Sequence, residues 1–516
     1  MWFAVFLSLV SGLLLTAGFP SCNLHYLSWI SLIPLLVAVR GKSRRQAFVL
    51  GAVCGLAHYF TVLFWIRFVI NRYGGIPLPL AILVLLLLSC YLALYPACFA
   101  LIAREWEKRP LLKTLGLPCA WVALEFMRAY ALTGFPWANL GYTQTSVTKL
   151  VQIADVTGVY GVSWLIVLAN TALLGCCMRP RQGLAALGVL VACLAGASAY
   201  GTWRLDAVGR MQAQAEPLTV AVIQGNIDQS LKWDPEYQQE TLRRYRELSL
   251  YAAKQKPEPS LLVWPETSVP FFYGLEDALT EQVNAIVRET GKPVLFGSPA
   301  VAVVNNRQRL LNRAYLVDER GAPVGLYAKQ HLVPFGEYVP FQKILFFVHR
   351  LVESAGDFEA GNDPSPLSMH GTPLGVLICY EDIFSDLARA TVQRGAMALV
   401  NITNDAWFGT SSAPYQHLEM ARWRAIEFRV PMIRAANTGI SAVFDATGEP
   451  RGDIALNERG YLAATVHPFR IMTWYARWGD LFAWLCAVVA ACGLLCSGIL
   501  RRTVSPYQEG EYSHEC

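Results

Sequence analysis

Pro373-Leu-Gly-Val-Leu-Ile-Cys379-Tyr380-Glu381-Asp382 is an apolar run closed by a thiol and two acids. A run of this length bounded by turn residues predicts a buried strand, and the pattern from Ile383 to Gln393 predicts a helix after it. Cys379 is then expected at a strand-to-helix junction, where unpaired N–H groups and the positive end of the helix favour a thiolate and a developing oxyanion. It is the only cysteine between Cys193 and Cys486. A lone cysteine read from position alone is more often a small buried hydrophobe than a nucleophile. Other residues have to overturn that.

Two further strand ends carry charge. Leu261-Leu-Val-Trp264 is a buried-strand run leading into Pro265-Glu266, and proline holds its predecessor extended, so Glu266 is expected to project from the strand end. Lys329 follows the run Val324 to Ala328 and opens Gln330-His331-Leu-Val-Pro-Phe-Gly336-Glu337. Taken singly, each charge fits a solvated loop. Taken together, a carboxylate, an ammonium and a thiol at three strand ends supply a base, an oxyanion stabiliser and a nucleophile.

Around these positions, strand-like runs (218 to 227, 293 to 300, 314 to 317 and 398 to 402) alternate with helical stretches. Asp234-Pro235 supplies an N-cap and a first-turn proline for a helix running to about Lys254, and Pro414 opens another through Arg429. Asp318-Glu-Arg-Gly321 and Asp445-Ala-Thr-Gly448 read as hairpin turns, so the sheet is expected to be mixed. This alternation predicts a layered α/β domain over residues 204 to 472. No CxxC pair, HExxH or GxGxxG after a strand occurs in it, and we expect no metal and no cofactor.

Composition places that domain on a membrane. The 516 residues are 54% hydrophobic and only 16% charged, with a mean hydropathy of +0.34, too apolar for a soluble protein. Eight stretches approach the roughly 20 residues needed to cross a bilayer: 2 to 18, 27 to 39, 47 to 66, 76 to 103, 114 to 133, 160 to 178, 184 to 200 and 481 to 500. The expected architecture is a seven-helix membrane domain over 1 to 203, then the α/β domain, then an eighth helix and tail over 473 to 516. Glu125 and Arg128 fall in the fifth stretch, either paired within the bundle or at the interface.

Loop charge orients these spans. Twelve Lys and Arg (Arg40, Lys42, Arg44, Arg45, Arg104, Lys108, Arg109, Lys113, Arg179, Arg181, Arg501 and Arg502) fall on one side, against Arg67, Arg72 and Lys149 on the other. Both termini are therefore expected in the cytoplasm and residues 204 to 472 outside it. The same loops account for the net charge of +5, which implies no nucleic-acid partner. The first span has no basic residue before it and reads as a retained anchor rather than a cleaved signal. Outside the cytoplasm, Cys379 has no second cysteine in its domain to pair with.

Trp264-Pro-Glu266, the segment Lys329 to Tyr338 and Leu377-Ile-Cys379-Tyr-Glu381 resemble the three catalytic motifs of the nitrilase, or carbon-nitrogen hydrolase, superfamily. With the flanking spans, and with Gly134-Phe-Pro-Trp137, Gln224-Gly-Asn226, Lys232-Trp233 and Asn401 to Phe408, the chain is similar over nearly its whole length to the apolipoprotein N-acyltransferase family of Gram-negative inner membranes. The resemblance implies an α-β-β-α sandwich on the periplasmic face. It implies transfer of the sn-1 acyl chain of a phospholipid, typically phosphatidylethanolamine, to the thiol of Cys379, and from there to the α-amine of a diacylglyceryl-cysteine at the N-terminus of an apolipoprotein. Glu266, Lys329 and Cys379 would be the catalytic triad, with Glu337, Tyr380 and Glu381 supporting it and Trp233 lining the lipid site.

Pro340-Phe-Gln-Lys-Ile-Leu-Phe-Phe-Val348 is unusually apolar for an external loop. It is expected to be either a lid that dips into the outer leaflet through Phe346 and Phe347, or a buried helix of the domain. A monomer is expected. A membrane-tethered amidase using water as acceptor, and a transporter or binding protein whose domain has lost catalysis, are the alternatives.

Overall fold

The computed structural model describes residues 1–230, 232, 234–304, 307–338 and 358–502. Trp233, Phe346 and Phe347, together with the apolar loop to which the last two belong, lie outside the described residues.

The first half of the chain is helical. Three helices, Leu78–Glu105, Val159–Met178 and Pro180–Gln214, are long and apolar enough to cross a membrane. Arg44–Val62 and Ile66–Arg72, bent by 53° at a short break, make a fourth span if taken as one. Ser43 starts that pair with a capping box, its side chain accepting from the Gln46 N–H while the Gln46 side chain reaches back. Trp2–Ala17, His25–Ala38 and Leu481–Ser497 are apolar but shorter. The fifth expected span is divided between a π-helical turn at Leu112–Gly116 and a helix of 14 residues, Leu117–Tyr130. Helix length and composition thus support three or four of the eight expected spans. The helix Pro180–Gln214 continues well past the last residue expected in its span and ends just before the first strand.

Glu125 and Arg128 do not bond to each other. Glu125 accepts from the Trp121 indole at 2.9 Å and the Leu140 N–H at 2.7 Å, while Arg128 donates to the Trp137 carbonyl at 2.5 Å and Asn139 Oδ1 at 2.6 Å. Both side chains are buried, and their function here is to fasten the loop 137–140 to the helix that carries them.

Strands β1 (Leu218–Gln224), β2 (Leu261–Val263), β3 (Val294–Val304), β4 (Arg307–Val317) and β5 (Pro323–Ala328) form one sheet. Strands β6 (Leu367–Met369), β7 (Thr372–Ile378), β8 (Ala398–Thr403), β9 (Met432–Ala436), β10 (Ser441–Phe444) and β11 (Pro450–Ile454) form a second. Strand β12 (Gly460–Val466) returns to the first sheet, antiparallel to β1. The two six-stranded sheets meet through one apolar layer, in which Val220, Val263, Leu295 and Leu316 face Val376, Ile378, Val400 and Ile433. The outer face of the first sheet is covered by helices Pro235–Ala253 and Asp277–Thr290, and that of the second by Ser385–Gln393 and Ala413–Phe428. This is an α-β-β-α sandwich, and its inner strands β1, β2 and β8 read as apolar runs because both their faces are buried, while the outer strands β5 and β11 are partly exposed.

Two expectations need correcting. Cys379 does not open an α-helix: it begins a five-residue 3-10 turn, Cys379–Ile383, and the α-helix starts at Ser385. The helix-end stabilisation expected for the thiolate is therefore not available from an α-helix. The hairpin of β3 and β4 is also longer than its apolar stretches, because the register continues from Ala300 opposite Leu311 out to Val304 opposite Arg307. Main-chain ladder bonds hold that extension, in which the apolar Val301 to Val304 faces the polar Arg307 to Arg309, so that an apolar pattern marks only one of the two strands.

Candidate active site

Parallel pairing of β1, β2 and β3, with β5 two antiparallel steps further on, sends the C-terminal ends of β2 and β5 to the same edge. Glu266 lies past the end of β2 and Lys329 directly follows β5. Cys379 follows β7 in the facing sheet. The three groups expected from the sequence are thus brought together, and all three side chains are buried.

Each is held by its neighbours. Trp264, just before Pro265 and Glu266, is buried against Tyr245 and donates its indole N–H to Ser249 at 2.9 Å, which anchors the end of β2. Gly297 of β3 lies against Glu266, and a Cβ there would stand 2.6 Å from the Thr267 nitrogen and 2.8 Å from Glu266 Cα. Glu266 Oε1 accepts from Asn312 Nδ2 at 2.7 Å and lies 3.6 Å from Lys329 Nζ, while Oε2 accepts from the Asn404 N–H at 2.9 Å. Lys329 Nζ donates to Glu337 Oε1 at 3.0 Å. That same oxygen accepts from Asn312 Nδ2 at 3.1 Å, and Glu337 Oε2 accepts from the Val333 N–H at 2.8 Å. Asn312 therefore bridges the two acids, and since both only accept, its NH2 end must face them.

Glu381 is fully buried and braces one sheet against the other. It accepts from the Tyr327 hydroxyl, from the N–H groups of Gln330 and His331 after β5, and from the Ile378 N–H at the end of β7. The loop bearing Lys329 is thereby tied to the strand end bearing Cys379. Burial pushes Glu381 up to about 7, against the pull of those backbone donors. Tyr380 is half-buried, its ring edge-on to Phe384, and the His331 ring lies 3.9 Å from that of Phe384. His417 is buried with both ring nitrogens within 3.0 Å of carboxylates, those of Asp382 and Asp405.

The electrostatics follow from burial and pairing. Burial first, then the Glu266 carboxylate, pushes the Cys379 thiol well above the usual thiol range, with Lys329 pulling the other way. Burial works against the Lys329 ammonium, but Glu337, Glu266 and the thiol together hold it above the ordinary lysine value. The resting pair is thus a thiol beside a permanent cation.

Sequence reasoning did not single out Asn312, and gave no role to the Asn404 N–H or to Lys232, although both lie in stretches quoted for the resemblance. Lys232 is buried and donates to the Glu266 carbonyl at 3.2 Å. Burial lowers it to about 8, with Glu266 and Cys379 opposing the fall. A lysine in a polar loop carries no burial signal. The Asn404 N–H is a backbone group that no side-chain pattern reports.

Residues 219–476 match the carbon-nitrogen hydrolase family model, and the paired sheets with an acid, a lysine and a cysteine at their edge are of that class. Residues 11–172 match the model of the apolipoprotein N-acyltransferase N-terminal domain. The apolipoprotein N-acyltransferase of Geobacter metallireducens is 44% identical over 495 residues, covering 94% of this chain and 93% of its own length. That of Methylococcus capsulatus is 35% identical, with 98% of each chain covered. The chain belongs to the apolipoprotein N-acyltransferase family of acyltransferase enzymes. Among solved structures, an amidase from Nesterenkonia sp. is 22% identical with a TM-score of 0.36, over 48% of this chain and 90% of that one.

Proposed function

We propose that this protein acylates the N-terminal α-amine of apolipoproteins in two half-reactions through a thioester on Cys379, drawing the acyl chain from the sn-1 position of a phospholipid. The observation that carries this reading is the convergence of Glu266, Lys329 and Cys379 in one buried network.

In the first half-reaction the Cys379 sulfur attacks the ester carbonyl while Glu266 takes its proton. Lys329, held by Glu337, and the main-chain N–H of Tyr380 meet the oxyanion. The C–O bond then breaks and Glu266 returns the proton to the lysophospholipid oxygen. In the second, Glu266 takes a proton from the attacking amine of a diacylglyceryl-cysteine, the C–S bond breaks and the thiol is restored. The two products leave in turn, which is ping-pong kinetics. Phosphatidylethanolamine is the preferred donor in this reading, with Trp233, Phe346 and Phe347 lining the lipid path.

The assignment extends to placement. Residues 1 to 203 form the membrane domain, 204 to 472 a periplasmic catalytic domain, and 473 to 516 the final helix and tail. The protein lies in the inner membrane as a monomer with both termini cytoplasmic, as the loop charges support.

Intact-mass analysis after mixing with phosphatidylethanolamine tests the chemistry. A single acyl adduct is expected on the native chain and none on Cys379→Ala. An adduct on both would remove Cys379 as nucleophile. Release of free fatty acid in place of transfer to an amine would make the protein a hydrolase.

A further inference from the structure

The chain that holds Glu266 from one side leaves the sandwich and lands on the bent pair of helices. Strand β8 ends at Thr403, and the Asn404 N–H that follows donates to Glu266 Oε2 at 2.9 Å. The Asn404 side chain is fixed as well, its amide donating to Gln229 Oε1 at 2.5 Å and its Oδ1 accepting from Asn437 Nδ2 at 3.0 Å. Asp405–Phe408 then forms a 3-10 turn. One end is tied inward, Asp405 Oδ2 accepting from Arg434 at 2.7 Å. The other is tied to the helical half: Tyr73, which follows Ile66–Arg72, donates its hydroxyl to the Ala406 carbonyl at 2.9 Å. The Tyr73 ring is edge-on to Trp407 at 4.9 Å, and Trp65, at the bend of the helix pair, is edge-on to Phe408 at 5.0 Å. Phe68 closes the third side, since a Cβ on Gly409, at φ 55°, would stand 2.8 Å from its ring.

This docking has a consequence for the carboxylate. Past the end of β8 no ladder bond fixes the chain, so the turn takes its place from what it packs against and from what satisfies its carbonyls. Tyr73 does both. Glu266 Oε1 has Asn312 and Lys329 beside it, whereas Oε2 is held among the described residues by the Asn404 N–H alone. That single main-chain donor therefore sets the angle of the carboxylate. A group that takes a proton from sulfur and later from an amine needs the same aim in both steps, and small misplacement is costly.

We propose that Tyr73 is a positioning residue for the reaction: by holding the turn Asp405–Phe408 against the bent helices it keeps the Asn404 N–H on Glu266, so that the helical half of the chain sets the aim of the base. The inference rests on the reading of Glu266 as the group that carries the proton in both half-reactions. Tyr73 itself touches neither Glu266 nor Cys379, and acts only through the turn.

The test measures the two half-reactions separately on the full chain in detergent micelles. Acyl-enzyme formation from phosphatidylethanolamine is followed by quenched intact-mass analysis, and its discharge by transfer to a synthetic diacylglyceryl-cysteinyl peptide. Tyr73→Phe keeps the ring and removes the hydroxyl. It should slow both steps by a similar factor, about fivefold, with the half-saturating concentrations of lipid and peptide unmoved and the melting midpoint close to native. Tyr73→Ala, which also takes the ring away from Trp407, should extend both losses to about fiftyfold. Native rates in Tyr73→Phe overturn the proposal. So does a loss confined to one step, or a shift in half-saturation with the maximal rates kept, either of which would assign Tyr73 to substrate binding. If Tyr73→Ala does not fold, Tyr73→Phe decides by the same criteria. Failure of the base reading shows separately, as native rates for both steps in Glu266→Gln.

Discussion

Cys379 sits between opposed charges, and the individual groups around it respond to pH in ways that can be measured. Lys232 lies near Glu266 and the thiol and has been lowered to about 8 by burial. Formation of the acyl-enzyme should therefore decline as pH rises through 8 and this cation is lost. Lys232→Met should be slower by on the order of tenfold and lack that upper limb, which stopped-flow or quench kinetics on lipid micelles would read. Glu381 makes the opposite kind of prediction, on stability. Its folded-state value of about 7 lies above the ordinary 4.5, so the stability it contributes is complete below 4.5 and lost as pH rises through 7. Melting midpoints should fall across that window, by the equivalent of on the order of 3 kcal/mol. Glu381→Gln should flatten this slope even where it lowers stability overall. An unchanged slope would mean that the carboxylate stays ionised throughout, held by its backbone donors.

The strand ends explain why these side chains meet. A carboxylate at the end of β2 and a lysine at the end of β5 meet because parallel or doubly antiparallel strands finish at one edge, and the thiol follows β7 in the facing sheet. Gly297 belongs to this arrangement, since its missing side chain lets β3 approach Glu266. Gly297→Ala should push the carboxylate aside and slow acyl-enzyme formation by about a hundredfold, while costing about 1–3 kcal/mol of stability. Equal losses in melting and in rate would assign the residue to packing alone. The strand runs 261 to 264, 374 to 379 and 398 to 402 were legible because burial on both faces leaves an unbroken apolar signal, and 324 to 328 was legible although Val324 and Leu326 are exposed. Strands β9 to β12 were not read as strands, although the turn Asp445 to Gly448 between β10 and β11 was: Arg434 and Asp453 interrupt β9 and β11, and β12 pairs with the distant β1. The 3-10 turn at Cys379 was equally hidden: apolar periodicity does not distinguish a tight turn from the first turn of a helix.

The helical half and the sandwich are joined by buried polar contacts. The Trp137 indole donates to Gln416 at 2.7 Å, and its ring stacks on His417. Asp155 accepts from Arg204 at 2.6 Å, from Arg429 at 3.0 Å and from the Tyr200 hydroxyl at 2.7 Å, so one carboxylate joins the long helix Pro180–Gln214 to the end of Ala413–Phe428. Asp155→Ala leaves two largely buried guanidinium groups without their anion. It should cost about 3–5 kcal/mol, seen as a lower melting midpoint in detergent. A midpoint within a degree of native would show that this joint carries no stability.

The chain's composition pointed to a bilayer, in line with its long apolar helices, and the motifs around Glu266, Lys329 and Cys379 were enough to place a carboxylate, an ammonium and a thiol at strand ends. Those are local facts, written in short runs of residues. What the runs could not contain is how the ends face each other: Asn312 bridging two acids, Lys232 buried beneath Glu266, Arg434 holding Asp382, Asp405 and the Asn401 amide that donates to the Cys379 carbonyl. Each of these joins residues 25 to 52 positions apart. Such contacts exist only after the strand ends and loops of each sheet have folded together, because hydrogen-bond partners in a folded core are selected by distance in space.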